Sequence, residues 1–170
     1  LRRLVITAPP EVMRGESFVV TVRGGANATQ PIEGANVSLD GVPAGQTDSK
    51  GSVSISINET GDHKISVEAA GYDRATKSVK VLSPISIISL NVTGDAIAGK
   101  PLKIVAEVQN TGKTADTRGI QLLVNRNATG NKSITVEPGK IEKVTFEYRP
   151  KEPGVYTFEV EGIQKTVSVE

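Results

Sequence analysis

The sequence predicts an all-β protein made of two tandem antiparallel β-sandwiches with about seven strands each. Three observations carry that expectation. Apolar residues recur at every second position through the chain, the period of a strand with one dry face. Turn residues interrupt the alternation about every 8–12 residues, as in antiparallel sandwiches and unlike βαβ units. The length of 170 residues suits two domains of about 85 residues each.

Taken in order, Phe18, Val20 and Val22 share the first apolar face, followed by Val37 and Leu39. Val53, Ile55 and Ile57 alternate with Ser52, Ser54 and Ser56, which gives one dry and one wet face. Ile65, Val67 and Ala69 come next, then Val79 and Val81. Gly24-Gly25, Asp40-Gly41, Asp48-Ser49-Lys50-Gly51, Glu59-Thr60-Gly61 and Ala70-Gly71 supply the turns between them. A boundary falls within Val81-Leu82-Ser83-Pro84-Ile85, where proline lacks a ladder donor and stiffens the link. The domains are therefore expected at 1–82 and 83–170. In the second, apolar faces run Leu102, Ile104, Ala106, Val108; Ile120, Leu122, Val124; Ile134, Val136; Val144, Phe146, Tyr148; Tyr156, Phe158, Val160; and Val167, Val169. No segment reads as a helix.

Charge is balanced, with Lys+Arg 20 against Asp+Glu 19, and aromatics are only 4% of residues. A phosphate backbone or an anionic membrane would call for clustered cations, so nucleic acid is excluded as a partner. Cysteine and tryptophan are both absent, which sets the chain apart from disulfide-pinned animal immunoglobulin domains. The opening Leu1-Arg2-Arg3-Leu4 has no initiator Met, and no apolar run is long enough for a signal or a span. The chain reads as a piece of something longer, and any membrane contact would come through an anchor outside it.

Six of the eight asparagines begin an Asn-X-Ser/Thr triplet without proline: Asn27, Asn36, Asn58, Asn91, Asn127 and Asn131. With Ser and Thr at roughly a sixth of residues, chance would supply about one. The excess points to an extracellular, cell-surface glycoprotein. A glycan is bulky and hydrophilic, so each asparagine should lie on a loop or a wet strand face. Many sequons without cysteine suit a prokaryotic, and especially an archaeal, surface protein.

Catalytic residues are not expected. Nucleophilic catalysis needs an oriented base beside the nucleophile, and His63 is the single histidine in a chain without cysteine. By strand parity His63 shares a face with Ile65 and Val67, as a boundary residue of a hairpin. No cofactor is expected either, and zinc has too few ligands. Calcium alone stays open: Asp40, Asp48 and Asp62 sit in turns and could offer hard oxygen ligands, although EF-hand spacing is missing. Among the tyrosines, Tyr148 and Tyr156 fall in parity with phenylalanines and read as packing, whereas Tyr72 beside Gly71 is the candidate for sugar contact.

Two stretches resemble known families. Pro31-Ile32-Glu33-Gly34-Ala35-Asn36-Val37, Thr47-Asp48-Ser49-Lys50-Gly51, Gly61-Asp62-His63-Lys64-Ile65-Ser66-Val67 and Ala69-Ala70-Gly71-Tyr72 resemble carboxypeptidase-regulatory-like and bacterial Ig-like modules. The resemblance implies that Thr-Asp-x-x-Gly forms a turn between strands and that Tyr72 packs. Residues 85–169 resemble a CARDB-type adhesion module through Ile97-Ala98-Gly99-Lys100-Pro101-Leu102, Val108-Gln109-Asn110-Thr111-Gly112, Val136-Glu137-Pro138-Gly139 and Pro150-Lys151-Glu152-Pro153-Gly154-Val155-Tyr156. In the Asn-Thr-Gly triplet, Asn110 is expected to bond its own backbone and Gly112 to take a left-handed conformation. Both resemblances imply Ig-like sandwiches acting as non-catalytic stalk, adhesion or S-layer-associated modules. Neighbouring domains of the same polypeptide, other envelope proteins or glycans would be the partners. Two alternatives remain: accessory domains that position the catalytic domain of a secreted protease, transglutaminase-like enzyme or polysaccharide hydrolase, and a carbohydrate-binding module.

Overall fold

A computed structural model describes residues 2–170; Leu1, where the first expected domain begins, lies outside the described residues. The chain divides into two compact units between Ser83 and Pro84. Both are built from strands, and the described residues include one 3₁₀ turn, Ala26–Ala28, but no α-helix.

In the first unit the strands are β1 (Val5–Thr7), β2 (Glu11–Met13), β3 (Phe18–Gly24), β4 (Gln30–Pro31), β5 (Asn36–Leu39), β6 (Val42–Gln46), β7 (Ser52–Ile55), β8 (Gly61–Glu68) and β9 (Ala75–Leu82). One sheet centres on β3, with β1 on one side and β4 and β7 sharing the other. The second sheet runs β2-β9-β8-β5-β6, antiparallel except where β2 lies parallel to β9. Their inner faces meet in one core, in which Val20, Val22, Ile65 and Val67 are fully buried. Burial of each such side chain contributes about 1.5–3 kcal/mol. Nine strands form where about seven were expected, because several are short. β6 is the clearest case: all of its residues are exposed, so no buried face stamps an alternation on its sequence.

The second unit contains β10 (Ile85–Thr93), β11 (Leu102–Asn110), β12 (Asp116–Val124), β13 (Asn127–Val136), β14 (Ile141–Tyr148), β15 (Gly154–Val160) and β16 (Ile163–Val169). A three-stranded sheet β10-β11-β14 and a four-stranded sheet β13-β12-β15-β16 share one core around Ile104, Leu122 and Phe158. Lys132 on the edge strand β13 donates its ammonium to the Thr145 carbonyl on the edge strand β14 and lies 5.7 Å from the Phe146 ring centroid. A cation is thus satisfied where the two edges approach.

Hairpin turns set the registers. Asp40-Gly41 has φ of 49° and 83°, and Glu161-Gly162 has 48° and 84°. Both pairs adopt the positive-φ geometry that follows the native strand twist. Asn125-Arg126 does the same with φ of 50° and 70°, although neither residue is glycine. Thr-Asp-x-x-Gly connects β6 to β7. There the buried Thr47 hydroxyl donates to the Ile32 carbonyl at 2.5 Å and accepts from the Ala35 amide at 2.9 Å. Asp48 accepts from the amides of Ser52 (3.0 Å) and Lys50 (2.9 Å), which hold its carboxyl below the ordinary 3.8.

At the corner between β14 and β15, the Tyr156 hydroxyl donates to the Glu152 carbonyl at 2.7 Å, and its ring lies 5.9 Å from that of Tyr148. Tyr156→Phe removes that bond and keeps the ring. It is expected to cost about 1 kcal/mol, read as a lowered urea midpoint with an unchanged m-value.

Asn110 behaves as expected on one count and differently on the other. Its carboxamide oxygen accepts from the Gly112 amide at 2.8 Å, the local turn that the triplet implied. Gly112, however, is not left-handed: it is absent from the positive-φ residues. The buried Asn110 amide also donates to Thr114 and Val136 carbonyls, both at 2.8 Å, so the loop is held by the side chain and needs no unusual backbone.

Candidate functional site

The six sequon asparagines are all exposed, three in each unit. Asn27 sits in the 3₁₀ turn with φ 59°, followed by Ala28 at φ 51°. Asn58 lies in the loop joining β7 to β8. Asn36 opens β5, where its Oδ1 accepts from Gln46 Nε2 at 2.8 Å. Asn91 lies on β10, opposite Val105. Asn127 and Asn131 are both on β13.

Strand parity explains the outward aim of the strand-borne asparagines. Asn36 is followed by Val37, which is 1% exposed, and Asn91 is preceded by Leu90 at 2%. Successive side chains point to opposite faces, so an inward neighbour sends the asparagine outward. β10 and β13 are also edge strands. Glycans there would stand beside unpaired backbone groups that could otherwise template another strand.

The three turn aspartates are not brought together. Among the described residues, no group of three or more His, Cys, Asp or Glu side chains is placed to hold a metal ion. Asp48 is committed to its turn. Asp40 gives one oxygen to the Lys64 amide (2.9 Å) and the other to His63 (2.5 Å). These bonds, the amide's foremost, hold its carboxyl below the ordinary 3.8. Asp62 pairs across the ladder with Lys80 in register. Asp40 and Asp48 thus serve turns, whereas Asp62 lies inside β8 and not in the turn where the sequence placed it.

His63 does share the β8 face that parity assigned, but its ring nitrogens meet a carboxylate and a carbonyl, with no hydroxyl nucleophile at either. The pairing with Asp40 spans 23 residues and leaves no linear signature. Tyr72 is partly buried against the first core. A Cβ on Gly24 would lie 2.7 Å from its ring, and the Arg2 guanidinium is 5.9 Å from the ring centroid. A shallow cleft of about 380 Å³ beside Tyr72 is bordered by Asn36, Glu68 and Arg74. The ring is thus packed against Gly24 and the Arg2 guanidinium while staying partly exposed.

This architecture defines a class, the Ig-like β-sandwich module. A family model described as the PEGA domain matches residues 28–93, which runs from the 3₁₀ turn through β9 and over β10. No curated protein matches the chain in sequence. Solved structures that resemble it include native E. coli alpha-2-macroglobulin, 12% identical, covering 99% of this chain and 17% of that chain with a TM-score of 0.37. The D0-D1 domain of intimin is 13% identical, covers 97% of each chain and has a TM-score of 0.36. The fibronectin(III)-like modules of Clostridium thermocellum CbhA are 13% identical, with 98% and 92% coverage and a TM-score of 0.34. Thus the chain spans about a sixth of the alpha-2-macroglobulin. The likeness concerns fold alone.

Proposed function

We propose that this chain is a non-catalytic stalk or adhesion module from the extracellular region of a larger cell-surface or envelope protein, modified by N-linked glycans. One observation carries the reading: six Asn-X-Ser/Thr triplets, every one with its asparagine exposed. The PEGA match and the sandwich fold support an accessory role. Within the same reading, the first unit is a carboxypeptidase-regulatory-like module and the second a CARDB-type adhesion module. The lack of cysteine favours a prokaryotic, archaeal envelope.

Sheet edges make the contacts in this proposal, toward neighbouring domains of the polypeptide or other envelope proteins. Glycans at Asn91, Asn127 and Asn131 shield β10 and β13 from indiscriminate strand pairing. Mass-spectrometric glycan mapping of protein from its native host tests the reading. Occupancy is expected at the loop and turn-proximal sites Asn27, Asn58 and Asn127 first. Six bare asparagines on native material would remove the basis for the surface assignment.

A further inference from the structure

The chain's single histidine is held between two other elements. Nδ1 of His63 lies 2.5 Å from Asp40 Oδ2 in the β5–β6 turn, and Nε2 lies 2.8 Å from the Glu59 carbonyl oxygen in the loop before β8. Both partners are acceptors. Only the imidazolium has two N–H groups to give them. The His63 side chain keeps 8% of its accessibility, while Asp40 and the Glu59 loop that it bonds are open to solvent.

We propose that His63 is a proton-operated latch: charged, it ties the Asn58–Thr60 loop to the β5–β6 turn, and neutral, it releases Glu59 while keeping Asp40. The asymmetry follows from the partners. A remaining proton stays on Nδ1, facing a carboxylate, because a charge-assisted bond is the stronger of the two. The Nε2 lone pair then faces the Glu59 carbonyl oxygen, and the contact becomes repulsive.

The charged groups around the ring are few. Asp40 and Glu59 provide negative charge from the turn and the loop. On β8 itself Asp62 and Lys64 flank the histidine, and the Lys64 amide is engaged with Asp40. On β9 the residue opposite is the uncharged Val79, while Lys80 and Lys77 stand across from Asp62 and Ile65.

Electrostatics supports the same picture. The Asp40 hydrogen bond raises the imidazole above its ordinary 6.5, outweighing the lowering by burial, and the Glu59 carbonyl adds to the rise. With a raised folded value, the latch's contribution is fully present below pH 6.5 and is lost as pH climbs through that value. Asp40, shifted the other way, keeps its side in force above 3.8 and yields only as pH falls through its lowered value.

Histidine ¹⁵N NMR and backbone relaxation on the intact chain, from pH 5.5 to 9, test the proposal. A single midpoint above 6.5 is expected, with Nε2 losing the proton. Order parameters at Asn58–Thr60 should fall across it, from about 0.85 toward 0.6 or below, while Lys64 stays rigid. Asp40→Asn is expected to lower the midpoint, and His63→Gln to leave the loop's order independent of pH. A midpoint at or below 6.5, a neutral form protonated on Nε2, or loop order in the wild-type chain that ignores pH would overturn it.

Discussion

Asn110→Asp is expected to destabilise the second unit by about 3–5 kcal/mol at pH 7, more than Asn110→Ala. Asn110 is fully buried at the end of β11. Its amide donates to carbonyls at Thr114, in the β11–β12 loop, and at Val136, the last residue of β13. The side chain thereby joins a strand of the three-stranded sheet to one of the four-stranded sheet. Its backbone is engaged too, accepting from the Gly139 amide at 2.8 Å and donating to Lys140 at 3.1 Å.

Alanine would leave the Gly112 amide and two carbonyls without their partner; only the Val136 bond is fully buried, and a buried unsatisfied group costs about 1–3 kcal/mol. Aspartate does worse at neutral pH, because it aims a carboxylate at two carbonyl oxygens that needed a donor. Its folded-state pKa must rise above the unfolded value, so the penalty shrinks as pH falls and the acid regains one O–H donor. Urea denaturation of both variants at pH 7 and pH 4.5 would measure this. If Asn110→Asp and Asn110→Ala lose the same stability at both pH values, the amide is not the staple described above.

The alternation of Val20 and Val22, Ile65 and Val67, and Ile104 and Ala106 made the core legible, because a strand with one dry face writes its geometry into every second residue. β10 shows where the code blurs. A bulge between Ile87 and Ser89 lets Ile85 and Leu90, five residues apart, both be buried. One inserted residue reverses parity, so a strict period of two fails across it. β6 carries no signal for the opposite reason, since a wholly exposed edge has no dry face. The Asn125-Arg126 turn was equally opaque: arginine at φ 70° is held by the hairpin and not by its own preference.

The candidate site divides along the same line. The sequons are local triplets, and their outward aim follows from the parity of Val37 and Leu90. The Asp40–His63 pair is tertiary, created when β5 and β8 become neighbours. Asp40 was legible as a turn residue of Asp-Gly, but its carboxylate's destination was not.

The second large effect is expected at Gly51. Gly51→Ala should cost the first unit about 3–4 kcal/mol, of which only part reflects glycine's freedom at positive φ. Gly51 is buried at φ 75°, and a Cβ placed there would lie 2.5 Å from the Val22 carbonyl oxygen, 3.1 Å from the Ile32 nitrogen and 3.2 Å from Pro31 Cα. All three are main-chain atoms, so no side-chain rotation relieves the contact. The Val22 amide also donates to the Gly51 carbonyl at 2.7 Å, and the Ile32 amide to the Val22 carbonyl at 3.1 Å. A shift that admits a methyl group would strain both bonds and loosen β3 from the Thr47 turn. Gly34 supplies the internal control. It has nearly the same φ, 74°, yet a Cβ on it would meet nothing within 4 Å. Gly34→Ala should therefore show the conformational penalty alone, about 1–2 kcal/mol. Equal losses in the two variants by urea denaturation would mean that Gly51 is kept for its φ and not for the close approach of the backbone.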